Sequence, residues 1–155
     1  MSRLRLAFLV LLVACQAAPP PPPPFDAVAD VKQLMATIIE PAAEVYWDAV
    51  GSVVDSAGTT EFAPSTPEEW TVVRNSAFVV AESGNLLMLA PRARDTAEWM
   101  TYSKAMIAAA RRAIAAADAR NAAAVFDVGA DVYETCVQCH AKYAVEQVRP
   151  NAAKP

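Results

Sequence analysis

The chain has 155 residues, with 13 Lys+Arg against 17 Asp+Glu, a formal charge of −4, one His, three Cys and four Gly. An acidic balance argues against nucleic acid as a partner, which calls for a basic face. The length supports one domain with a single core, and an alanine-rich, glycine-poor composition without alternating strand patterns predicts helices.

Residues 1–14, MSRLRLAFLVLLVA, read as a secretory leader. Arg3 and Arg5 form its positive end, and the apolar run from Leu6 to Val13 is too short to span a bilayer. Leu12-Val13-Ala14-Cys15 resembles a bacterial lipobox. That resemblance implies cleavage before Cys15 and lipidation of its thiol, and several acyl chains give stable anchoring. The alternative is ordinary cleavage near Ala17 or Ala18, with Cys15 discarded.

Residues 15–24 end in six consecutive prolines, Pro19 to Pro24. Such a run adopts extended polyproline II, a semi-rigid spacer of ~3 Å per residue. It fits a domain held off a membrane surface better than a ligand for a proline-binding module. Removing Arg3 and Arg5 with the leader lowers 13 Lys+Arg to 11 against 17 Asp+Glu, a formal charge of −6. That charge is compatible with a basic redox partner.

Residues 25–148 form the expected domain, and 149–155 a tail. The first amphipathic segment runs from about Asp26 to Val50, with Val28, Val31, Met35, Ile38, Ala42, Val45 and Ala49 as its apolar stripe. Pro41 inside that pattern predicts a kink or division near Glu40, and Gly51 a stop. Residues 52–65 read as a loop crossing one end of the molecule. Thr66-Pro67-Glu68-Glu69 supplies an N-cap, a first-turn proline and a capping-box glutamate for the second helix. Its stripe is Trp70, Val73, Ala77, Val80, Gly84 and Leu87, ending before Pro91.

The third segment runs from Asp95 to about Asp118, with Trp99, Tyr102, Met106, Ala110, Ala113 and Ala117 inward. Its second half is nearly all alanine, so a neighbouring helix or a flat cofactor can approach closely. The fourth opens with Asn121 as N-cap and carries Val125, Phe126, Gly129, Val132, Tyr133, Cys136, Cys139, His140 and Tyr143 on one face, ending before Pro150. Four helices with mostly short links predict an all-α fold, an antiparallel four-helix bundle.

Cys136-Val137-Gln138-Cys139-His140 is the attachment signature of c-type haem. On a helix, residues i, i+3 and i+4 share one face. Both thiols can therefore add across the haem vinyl groups while His140 takes the iron as proximal ligand. Three other readings stay open: zinc, which wants about four ligands; a dithiol redox motif, which wants a βαβ setting; and a chance pattern without cofactor. One covalent haem c is the expectation. It also settles the thiols: Cys15 to lipid, Cys136 and Cys139 to haem, none left for a disulfide.

With CxxCH near the end of the fourth helix, residues 25–148 resemble a class II c-type cytochrome, the cytochrome c-prime family. The resemblance rests on Tyr133 and on Cys136-Val137-Gln138-Cys139-His140-Ala141-Lys142-Tyr143, with the aromatic three residues after His family-like. Class I cytochromes place the motif near the N-terminus instead. The resemblance implies haem attached on the C-terminal helix of a four-helix bundle. A basic residue often follows the His by four in this family. Here that position is Ala144, and Lys142 or Arg149 is the candidate substitute.

The family divides by what the first helix offers the distal face of the haem. A methionine there gives a low-spin electron carrier, and the resemblance puts Met35 in that role, with Lys32 a turn before it. The alternative for Met35 is a flexible core filler; Met88, Met100 and Met106 are rivals on other helices. Leu34 over the iron would instead give a pentacoordinate protein that binds NO or CO. Lys32, Arg92, Arg94 and Arg111 are candidates for the haem propionates by charge, against simple solvation. Tyr46, Trp47, Trp70 and Trp99 read as core or interface aromatics, and Phe126, Gly129 and Tyr133 as haem contacts.

These readings describe a monohaem cytochrome that carries single electrons on the periplasmic side of a bacterial membrane, held by its lipid. Gln16 after Cys15 favours the outer membrane, by analogy with enteric sorting. The expected partner is a periplasmic or membrane redox protein. Homodimers are common in the family, and a homodimer stays open. The only His is committed to iron and no acid–base pair stands out, so an enzyme is not expected. The runners-up are an NO or CO sensor or scavenger, and a structural lipoprotein with an accidental CxxCH.

Overall fold

The computed structural model describes residues 24–145. The expected leader, Cys15, nearly all of the proline run and the tail with Arg149 lie outside the described residues. The described residues are mostly helical, with one small sheet among them. In order it forms α1 (Val31–Leu34), a π-helical turn (Met35–Ile39), α2 (Glu40–Trp47), β1 (Gly51–Asp55), β2 (Gly58–Phe62), α3 (Pro67–Met88), α4 (Glu98–Asp118) and α5 (Ala122–Tyr143). Among the described residues no helix is long and apolar enough to cross a membrane.

The first three of these elements make one helical rod that begins later than expected, at Val31. Asp30 caps it reciprocally with Gln33: the Asp30 carboxylate accepts from the Gln33 N–H at 2.8 Å, and the Gln33 side chain accepts from the Asp30 N–H at 3.0 Å. Pro41 does not divide the rod. It has no N–H to give and its ring crowds the preceding turn of an α-helix. The chain meets this by widening the turn ahead of it, so that the Glu40 N–H reaches back five residues to the Met35 carbonyl. Thr37, whose carbonyl an unbroken α-helical ladder would pair with Pro41, is exposed.

That extra residue moves the buried stripe off the expected one. Leu34, Ile39, Ala43, Tyr46 and Val50 are buried, with a step of five across the π turn. Val31, Met35, Ala42 and Ala49 flank the stripe half-buried, while Val28, Ile38 and Val45 are exposed. A uniform heptad reading cannot anticipate the inserted residue.

The expected loop 52–65 contains a hairpin, which corrects a purely helical reading. β1 and β2 pair antiparallel from Gly51↔Phe62 to Asp55↔Gly58. The Asp55 carboxylate accepts from the Ala57 N–H at 2.8 Å, and Gly58 follows with φ of 132°, a backbone state suited to glycine. Both strands are exposed along almost their whole length, so no buried face imposes a period of two on the sequence.

α3 forms as expected. Thr66 and Glu69 make the capping box, Pro67 opens the helix, and Trp70, Val73, Ala77, Val80, Gly84 and Leu87 are all buried. Hydrogen bonds from the backbone and hydroxyl of Ser65, and from the Thr66 N–H, hold the Glu69 carboxyl below its usual range. α4 starts at Glu98 because Asp95 lies before it, accepting from the N–H groups of Ala97 and Trp99 at 2.8 and 3.0 Å. Its alanine face receives a neighbour: the Tyr46 hydroxyl donates to the Ala113 carbonyl at 3.4 Å, and burial pushes that phenol up to about 12. Asn121 caps α5 by accepting from the Ala124 N–H. Val125, Gly129 and Val132 are buried on α5, whereas Phe126 and Tyr133, expected inward, are 64 % and 58 % exposed. α3 packs on α4, α4 on α5, and α2 on both α3 and α5.

Candidate cofactor-attachment site

Cys136, Cys139 and His140 lie in the last two turns of α5, each half-buried. Their spacing of i, i+3 and i+4 gives them one face of the helix. Both thiols are free. Burial raises the Cys136 thiol above its usual range and pushes Cys139 up to about 11, so both stay protonated at neutral pH. A thiol held neutral is a poor metal ligand and disulfide partner. Among the described residues no group of three or more His, Cys, Asp and Glu is arranged to hold a metal ion.

The turn after the motif is pinned to α4. The Tyr143 hydroxyl donates to the Asp95 carboxylate, and its ring stands edge-on to Trp99 (5.0 Å, 83°) and Tyr102 (6.2 Å, 81°). That hydrogen bond lowers the Asp95 carboxyl and pushes the Tyr143 phenol up to about 12. Trp99 in turn donates its indole N–H to the Leu87 carbonyl at 2.7 Å, tying α3 to the same end. Lys142, a candidate for the proximal side of the haem, is directed to Glu98 instead.

The first rod is registered against α5 by Trp47. Its indole N–H donates to the Gly129 carbonyl at 3.0 Å, and its ring meets Tyr133 edge-on at 5.8 Å. Gly129 permits the approach, since a Cβ there would lie 3.2 Å from Trp47 Cδ1. The start of the rod lies at the other end, where the Ala29 carbonyl accepts from Arg92. From Trp47 back to Met35 is about 18 Å of helix, and from Gly129 forward to His140 about 16 Å, at ~1.5 Å per residue. Met35 itself lies in the π-helical turn, which packs on α3. It is half-buried and packed against the core, while its neighbour Leu34 is 1 % exposed.

The other candidates separate by burial. Met106 is buried in α4, and Met88 and Met100 are half-buried. Trp70, Trp99 and Tyr46 are core residues. Lys32, Arg94 and Arg111 are exposed, and Arg92 is buried. Phe126 and Tyr133 face an open apolar cleft of about 260 Å³ with Trp47, Val50 and Gly129. A second cleft of about 390 Å³ lies between the hairpin and α5, along Val50, Phe62, Ala122 and Phe126.

Two features were not legible in the sequence. Ser83 is 1 % exposed and its hydroxyl has no hydrogen-bond partner. Arg92 is buried without a carboxylate among the described residues. Nothing in Pro91-Arg92-Ala93-Arg94 distinguishes the two arginines. The chemistry of the donor set fits a haem: two free thiols and an imidazole on one helix face. Neither the family models, the curated proteins nor the solved structures compared with this chain match it.

Proposed function

We propose that the chain is a monohaem c-type cytochrome of the class II kind, an antiparallel four-helix bundle that carries single electrons. The observation that carries this reading is the placement of Cys136, Cys139 and His140 on one face of α5, with both thiols free. Cys136 and Cys139 hold the porphyrin as thioethers, His140 is the proximal ligand, and Met35 the distal one. The bound haem supplies the one-electron chemistry, and the protein orients it and limits water around it. The bundle reading is supported by the pairings Lys142–Glu98, Arg112–Asp131 and Arg74–Asp118, each joining the start of one helix to the end of its neighbour or two mid-points. Export, a lipid anchor on Cys15, a periplasmic location and a protein redox partner belong to the same proposal. No substrate-processing role is assigned.

The burial of Leu34 beside Met35 favours one second reading, in which Leu34 covers the iron and the protein binds NO or CO. Absorption spectra of the haem-loaded protein separate the two. Electron transfer with Met35 bound requires low-spin bands, a methionine-to-iron charge-transfer band lost in Met35→Ala, and no response to CO. High-spin bands in the wild type that shift with CO would assign the gas-binding role instead.

A further inference from the structure

Arg92 follows α3 in the link to α4 and is 8 % exposed. Its Nε donates to the Ala29 carbonyl at 2.9 Å and one terminal nitrogen to the Leu86 carbonyl at 3.5 Å. Both acceptors are neutral. The ion pairs among the described residues are Arg74–Asp118, Arg112–Asp131 and Lys142–Glu98, none of which involves Arg92. A guanidinium does not give up its proton in proteins, and a charge removed from water is costly unless an opposite charge meets it. Two carbonyls satisfy hydrogen bonds without neutralising the charge. Ser83 lies one turn before Leu86 on α3, buried, with its hydroxyl unpartnered. A fixed positive charge without an ion partner thus sits at the end of α3, and a carboxylate would neutralise it.

The position suits one carboxylate in particular. Leu87, next to Leu86, accepts from Trp99, and Trp99 touches Tyr143, three residues beyond His140. Arg92 is therefore at the CxxCH end of the molecule. α3 and α5 both pack on α2 and α4, so α3 lies across the core from the motif. Haem carries its vinyl groups on one edge and its two propionates on the opposite edge. Vinyls fixed to Cys136 and Cys139 on α5 send the propionates away from α5. Resting on the haem reading, we propose that Arg92 receives a haem propionate. The other basic candidates, Lys32, Arg94 and Arg111, are exposed.

The test uses full-length protein loaded with haem by a cytochrome c maturation system, as wild type, Arg92→Gln, Arg92→Lys and Arg94→Gln. The readouts are the reduction potential and the propionate bending band in resonance Raman spectra. A guanidinium beside the propionate offsets its field at the iron, so Arg92→Gln lowers the potential and moves the band. Arg92→Lys keeps most of the potential but moves the band, because a point-charge donor replaces a bidentate one. Arg94→Gln changes neither. A haem-loaded Arg92→Gln protein with wild-type potential and band would overturn the proposal and leave Arg92 as a tie between Ala29 and Leu86. If Arg92→Gln does not fold, an unmoved band in Arg92→Lys overturns it equally. A wild type lacking covalent haem overturns the haem reading itself, a separate result.

Discussion

Trp47 donates its indole N–H to the Gly129 carbonyl at 3.0 Å, across the seam between the first helical rod and α5. That bond, with the edge contact to Tyr133, registers the rod against α5. Trp47→Phe keeps an aromatic filler and removes the donor. A typical protein hydrogen bond contributes about 1 kcal/mol, so the variant is expected to lose about 1–2 kcal/mol in urea unfolding. In the haem-loaded protein the methionine-to-iron band should weaken as well, because the register of Met35 relaxes. An unchanged unfolding midpoint would show that the seam is held elsewhere.

Adjacent isoleucines test the π turn. Ile39 is 4 % exposed and Ile38 37 %. Removing a buried isoleucine side chain costs about 2–5 kcal/mol, and a largely exposed one about 1 kcal/mol or less. Ile39→Ala should therefore be the severe variant and Ile38→Ala the mild one, by chemical denaturation. An uninterrupted α-helix carrying the stripe through Ile38 predicts the reverse order.

Asp95 and Tyr143 give the molecule an acid-sensitive tie. The Tyr143 hydroxyl and the N–H groups of Ala97 and Trp99 hold the Asp95 carboxyl below its ordinary value in the folded state. A depressed folded-state pKa contributes stability that is present above the unfolded value, near pH 4, and is lost as pH falls through the folded one. Wild type should exceed Asp95→Asn in stability at neutral pH, and the gap should close on acidification below about pH 4. The Tyr143 phenol, pushed up to about 12, acts with the opposite sign: its contribution is complete below the unfolded value near pH 10 and fades as pH rises through the folded one. A constant gap from pH 7 to pH 3 would remove Asp95 from this account.

Anchoring is tested by Cys15→Ser. The lipid on Cys15 is expected to hold the exported protein in the detergent phase of a Triton X-114 partition. The serine variant should move to the aqueous phase or retain an uncleaved leader. A Cys15→Ser protein that is cleaved after export and still stays with the membrane would contradict the lipid assignment.

The legible parts of the fold were those where local chemistry and packing agree. Thr66-Pro67-Glu68-Glu69 announces α3, Asn121 announces α5, and the stripe from Trp70 to Leu87 is buried residue for residue. The first rod was misread by one position because the π turn adds a residue that no fixed period carries. The hairpin was missed because Val53, Val54 and Phe62 are exposed and leave no alternation to read. Phe126 and Tyr133 share the helical face of Cys136 in sequence, and in the structure they line the open cleft beside Trp47. For the site itself, three residues on one face could be read from spacing alone, whereas Arg92 and Ser83 owe their significance to burial, which spacing does not encode.

The most direct measurement is the intact mass of the protein produced with a cytochrome c maturation system, as wild type and as Cys136→Ala/Cys139→Ala. The account predicts that the wild-type chain carries the added mass of one haem through denaturation and that the double variant carries none. A wild type at the mass of its lipidated polypeptide alone would contradict the assignment of Cys136, Cys139 and His140.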